Sequence, residues 1–251
     1  MKNSVQSFRS MLALALLAVL AVAGSGCATS GRHVLLKEYG PTVPVPTNPP
    51  LKGMTICIKG FQIATNLTSL DPKSKPEQPP QFTFVKFTSE QNKSWDQEFR
   101  ALKKKTKKDD WWKIGHVRNG FGMIMSHVYA LNDPGPWLTE TLRMDLEQQG
   151  AKVVNAAQAD SADLSLSGTI QFCRVDIYMK IWGDLVVDLE LQPKNRGPTR
   201  ASLHTEGGTT AWTSASSEFY KPLREARQKL SWLTTREIIK ALKQPATAAA
   251  Q

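Results

Sequence analysis

Four groups of residues in this 251-residue chain have types and spacings that could do chemistry. The first is Cys27, which follows Gly24-Ser25-Gly26 at the end of an apolar run and could accept a thioether-linked lipid. The second is the pair Cys57 and Cys173, which complete the three cysteines. Both fall in predicted strands, and in an oxidising compartment they could bridge. The alternative is two buried thiols, because neighbouring strands rarely offer disulfide geometry. The third is a run of five lysines in six residues, Lys103, Lys104, Lys105, Lys107 and Lys108, followed by Trp111 and Trp112. Each lysine near an anionic membrane adds about 1 kcal/mol, and indoles settle at interfaces. The alternative is a solvated linker whose tryptophans pack on the domain. The fourth is Val117-Arg-Asn-Gly-Phe-Gly122. Arg118, Asn119 and Phe121 could form a polar and aromatic ligand surface. Structurally, Asn119 and Gly120 suit positive φ, Gly122 permits close backbone approach, and Arg118 could pin the loop to a carboxylate.

Catalysis is not expected. His33, His116, His127 and His204 are the only histidines: His33 lies in the tether, His204 sits on the polar parity of a strand, and His116 and His127 have no cysteine or carboxylate at ligand spacing. No nucleophile elbow, His-Glu-x-x-His or phosphate loop occurs. No metal and no cofactor are expected. Asp184, Asp188 and Glu190 share one strand parity and read as a solvated face.

The elements that must carry these residues begin with an export signal. Lys2 and Arg9 precede an uncharged run from Met11 to Ala23. That run is shorter than the roughly 20 residues a bilayer-spanning helix needs. The small residues leading into Cys27 resemble the lipobox of bacterial lipoproteins, in which that cysteine is lipidated and becomes the N-terminus. Ordinary secretion, leaving Cys27 a spare thiol, is the alternative. Residues 1–26 are thus a signal peptide. Ala28, where Asp would favour the inner membrane, favours the outer membrane, facing the periplasm. The net charge of +10 falls to +8 when Lys2 and Arg9 are removed. In an exported protein this points to anionic lipid, lipopolysaccharide or cell-wall polymer rather than nucleic acid, or simply to solubility.

Residues 27–52 hold five prolines between Pro41 and Pro50 and read as an extended tether, with folding starting at Gly53. Met54–Gly60 alternates as a strand. Residues 70–113 form a polar, Lys-rich insertion, with a possible strand at 82–87 and a short helix at 94–105. Residues 114–125 read as turn-rich. A helix is predicted over 136–149, with Pro136 in its first turn and Gly150 just past its end. Ala151–Val154 is a short strand. Strand-like alternation then runs from Leu164, with a bulge near Cys173-Arg174, a turn at Trp182-Gly183-Asp184, and further strands to Trp212. A helix covers 217–242, and 244–251 is a disordered tail. The expected fold is α+β: a two-layer sandwich with a mostly antiparallel sheet of about four strands covered by two helices, all within 53–243.

Several segments together resemble the YajG-type bacterial lipoproteins: Cys27 and its tether, Gly53-Met-Thr-Ile-Cys-Ile58, Ile114-Gly-His-Val-Arg-Asn-Gly-Phe-Gly-Met123, Gln148-Gln-Gly-Ala-Lys-Val153 and Ala162-Asp-Leu-Ser-Leu166. The resemblance implies an outer-membrane-anchored accessory with no enzymatic activity to carry over. The expectation is a binding or assembly accessory of the cell envelope. A subunit of an envelope transport or surface-appendage complex is the alternative, and an envelope hydrolase comes third.

Overall fold

The computed structural model describes residues 31–65, 67, 74–80, 82–210 and 216–243. The expected signal peptide, Cys27 and the 244–251 tail lie outside the described residues. In chain order the strands are β1 Arg32–Val34, β2 Thr55–Ile63, β3 Trp112–Arg118, β4 Ile124–Ala130, β5 Lys152–Val154, β6 Leu164–Tyr178, β7 Lys180–Pro193 and β8 Thr199–Thr209. The α-helices are α1 Ser89–Lys105, α2 Pro134–Gln148 and α3 Ser216–Lys243.

The expected four-stranded, mostly antiparallel sandwich under two helices is incorrect. The strands form one eight-stranded mixed sheet, and among the described residues there are three α-helices. The reason is the length of β6. Its alternation from Leu164 continues to Tyr178 across a bulge between Ile170 and Phe172. One flank of so long a strand can serve two partners. Its first half takes β2 in parallel (Ile56 opposite Leu164), and its second half takes β3 in parallel (Val117 opposite Ile177). β5 extends the β2 side; β4 and then β1 extend the β3 side. The other flank carries the β7–β8 meander. The turn expected at Trp182-Gly183-Asp184 instead falls at Met179, between Tyr178 and Lys180.

Gly183 has another role. A Cβ there would lie 2.3 Å from the Leu223 nitrogen, and one at Gly207 would lie 2.1 Å from the Pro222 carbonyl oxygen. These glycines let α3 rest directly on β7 and β8. The same parity of β7 presents Leu185, Val187, Leu189 and Leu191 to the helices, all buried. α2 adds Trp137, Leu138, Leu142 and Leu146. Its start is fixed by Asp133, whose carboxylate accepts the Gly135 amide at 2.7 Å. The insertion contributes to the core as well. α1 opens with a Thr88–Gln91 capping box. It buries Trp95 and Phe99, stacked 5.2 Å apart, against Tyr220 of α3. The expected strand at 82–87 is irregular chain, held to α3 where Gln228 bonds the Val85 amide and carbonyl.

The expected tether is also folded. Val34, Leu36, Val43 and Leu51 are buried, β1 joins the sheet beside β4, and Trp95 donates to the Leu35 carbonyl. Four charges hold this segment down. Glu38 receives Arg224 (2.8 Å) and the Tyr220 hydroxyl (2.9 Å). Asp145 of α2 accepts the Thr42 hydroxyl (3.0 Å) and the Arg227 guanidinium. Arg227 also donates to Thr42 and lies 3.4 Å from Glu38. All four ionic side chains are almost wholly buried. Burial and the Glu38 carboxylate hold the Tyr220 phenol well above its usual pKa. The cluster balances two anions with two cations, so removing one member strands the others.

Arg227→Met should therefore cost about 3–5 kcal/mol, lowering Tm by about 10 °C in a domain of this size. Arg143, paired with Glu140 and Glu147 on the exposed side of α2, provides the contrast. Arg143→Met should cost under about 1 kcal/mol. Thermal melts followed by circular dichroism separate the two outcomes.

Candidate docking surface

The sequence-predicted site residues separate into three places. Cys57 and Cys173 are unbridged and buried. Cys57 lies opposite Ser165 on β6, eight residues short of Cys173, about 25 Å along a strand. No disulfide can span that distance, so the proposed Cys57–Cys173 bridge does not form. Burial pushes the Cys173 thiol up to about 12.

The lysine run lies at the start of β3. Lys103, Lys104 and Lys105 occupy the exposed last turn of α1, where cations complement the helix dipole. Lys107 and Lys108 follow in a short 3₁₀ turn. Trp111 and Trp112 are half-buried and pack on the core. Trp111 meets the His33 ring edge-on at 4.3 Å, and Tyr129 stacks against that ring at 5.9 Å and lies 5.8 Å from Trp111. The tryptophans therefore cover β1 and β4, while the lysines stay in solvent.

Arg118, Asn119 and Phe121 lie at the opposite end of β3, about 20 Å away, so the two candidate surfaces are not one. Residues 114–125, read as turn-rich, form the β3–β4 hairpin. Asn119 builds its tip. The Asn119 side-chain oxygen accepts the Phe121 and Met123 amides, both at 3.0 Å, and its backbone closes the loop with Met123 and Gly122. Positive φ falls at Gly122, not at Asn119 or Gly120. This closed loop leaves Phe121 89% exposed, together with Met123, Ile124 and Met125. The β6–β7 turn lies beside it, since the Tyr178 hydroxyl reaches the Gly120 carbonyl at 3.4 Å. That turn projects Met179, 64% exposed and at φ 56°. Of the six large apolar side chains exposed among the described residues, five are on these two tips; the sixth is Val45. The sequence pattern hid Met179 inside an apparent apolar alternation, and hid Met123 to Met125 inside an apparent loop.

Behind the tips, the sheet face opposite the helices holds a charged cleft of about 410 Å³. Arg118 clasps Asp176 at 2.9 Å through Nε, and Arg174 reaches Asp184 at 2.9 Å. His204, on the polar parity of β8, faces the Ser74 carbonyl through Nδ1 at 2.6 Å. A carbonyl only accepts, so Nδ1 carries the hydrogen. Nε2 is buried without a hydrogen-bond partner, 3.8 Å from Asp184. Burial, then the neighbouring Asp184, raises the Glu206 pKa. Two ion pairs, Arg118–Asp176 and Arg174–Asp184, brace this face. Among the described residues no group of three His, Cys, Asp or Glu side chains could hold a metal ion, and no helix is long and apolar enough to cross a membrane.

No family model matches the chain, and no curated protein matches it. Among solved structures, it resembles a Xanthomonas campestris protein assigned to the DUF330 family. The two share 12% identity over 81% of this chain and 95% of that one, with a TM-score of 0.44. A second crystal structure, of a protein described as uncharacterized, shares 12% identity over 80% and 99%, with a TM-score of 0.43.

The His33 packing makes a pH prediction. Burial, then Lys103, lowers its pKa from 6.5 to about 4. Between those values the unfolded chain binds a proton that the folded chain excludes, so stability falls as pH drops from 6.5 to 4. His116 and His127 are lowered too, mainly by burial. His33→Phe keeps an aromatic ring against Trp111 and Tyr129 and removes one titration. Its denaturant midpoint should fall less than that of the wild type over this pH range. Identical slopes would contradict the burial of β1.

Proposed function

We propose that this protein is a lipid-anchored accessory of the bacterial cell envelope, held to the outer membrane on the periplasmic side, and that it acts by docking rather than catalysis. The supporting observation is the paired hairpin tip. Five exposed apolar side chains gathered on two tied loops do nothing for the core, and contiguous exposed apolar patches mark interaction sites. The ion pairs behind the tip form a polar border, the usual anatomy of a docking surface. The export signal, the lipobox-like Gly24-Ser25-Gly26-Cys27 and the YajG-type segments support the same reading.

The test is metabolic labelling with an alkynyl palmitate, followed by membrane fractionation. The wild-type chain should carry the label and fractionate with outer membranes. Cys27→Ser should be unlabelled and should be stripped from the membrane fraction by a high-salt wash that leaves the wild-type chain in place. A wild-type chain that is unlabelled and free of membranes would overturn the anchor.

A further inference from the structure

The position of the apolar tip relative to the chain's N-terminal end identifies what the tip touches. β1 runs parallel to β4, with Arg32 opposite Val128 and Val34 opposite Ala130. β4 begins at the tip, at Ile124. β1 is therefore entered from the tip end of the sheet. Gly31, the first described residue, lies against His127, with a Cβ position 3.2 Å from the His127 carbonyl oxygen. His127 is three residues from Ile124, about 10 Å along the strand. Only four residue steps separate Cys27 from Gly31. Whatever course they take, they reach at most about 14 Å. Because residues 32–52 are folded into the body, no long spacer remains between Cys27 and the domain.

We infer that Phe121, Met123, Ile124, Met125 and Met179 dip into the interfacial layer of the same bilayer that holds the lipid on Cys27. The tip thus acts as a second membrane contact that fixes the orientation of the domain. This inference rests on the anchored reading above and names the surface to which its docking site binds. A lipid at Cys27 forces the body to within about 14 Å of the bilayer, and the end it presents is the one that carries the exposed apolar side chains. Met179 points the same way. A non-glycine residue at positive φ carries a backbone cost. Here that strained position holds a large apolar side chain in solvent, which gains nothing for the fold. Lys180, exposed beside Met179 and 5.0 Å over the Trp182 ring, and Arg32, beside Gly31, place cations on the same end of the molecule. Cations behind an apolar tip suit an anionic lipid surface.

The experiment is co-sedimentation of the mature chain carrying Cys27→Ser, which has no lipid of its own, with vesicles of phosphatidylethanolamine and phosphatidylglycerol. The chain should bind, and binding should weaken with salt. Phe121→Asp combined with Met179→Asp should lower the partition coefficient by at least about tenfold, because both residues would lose burial in lipid. Val45→Asp, at the exposed apolar position outside the tip, should leave it unchanged. Both substitutions sit on exposed side chains, and unchanged circular dichroism spectra and melting temperatures verify folding. Failure of the Cys27→Ser chain to bind, or equal binding by the double variant, would overturn the inference. A photo-crosslinker at position 121 that captures one envelope protein in place of lipid would overturn it as well. The palmitate label at Cys27 reports separately on the anchor, so loss of either reading is distinguishable from loss of the other.

Discussion

The buried cluster of Glu38, Thr42, Asp145, Arg224 and Arg227 is the constraint on which the rest depends. Its members are far apart in the chain: 186 residues separate Arg224 from Glu38, and 103 separate Thr42 from Asp145. Buried ions are tolerated only when paired and hydrogen-bonded. The proline-rich segment, α2 and α3 must therefore meet in one geometry. Prolines help, because a segment already restricted in φ loses less entropy on docking. The consequence is that the first strand is held in a fixed place beside β4, and the chain enters the fold from a fixed direction.

β6 organises the rest. Its two-partner flank holds β2 and β5 at one end and β3, β4 and β1 at the other. The β3–β4 hairpin and the β6–β7 turn are thereby brought to the same edge of the sheet. Asn119 then closes one loop and Tyr178 ties the two together. An ion-paired core supports a tip whose apolar side chains stand exposed among the described residues. The region with the strongest internal constraints positions the region with the fewest.

Local patterns in the sequence were legible where local forces decide. Leu164 to Phe172 alternate and form a strand. Trp137, Leu138, Leu142 and Leu146 recur at helical spacing and form α2. The misreadings share one cause, which is partnership at long range. Gly183 looked like a turn but is the point where α3 touches the sheet. Pro41 to Pro50 looked like a tether because the partners that hold the segment lie on α2 and α3. Residues 114–125 looked like turns because Gly115 weakens strand propensity. Yet Gly115 is required where a Cβ would lie 1.8 Å from the Val175 carbonyl oxygen. Of the site, Arg118, Asn119 and Phe121 were visible as a motif. Their separation from the lysine run, and their association with Met179, depended on the β3–β6 pairing, which no local pattern encodes.

These pieces describe a domain in which the chain enters the fold at the same end that carries the exposed apolar tip. The most direct test is the membrane depth of spin labels on the lipidated chain bound to bilayers. One label replaces Phe121 as cysteine, and the other replaces Asn195 in the β7–β8 turn, about 40 Å away along β7. Cys57 and Cys173 are buried and stay unlabelled. Position 121 should relax strongly with oxygen and weakly with a water-soluble nickel chelate, as expected inside lipid, while position 195 shows the reverse. Two labels that both behave as in water, or lipid depth at position 195, would contradict the account.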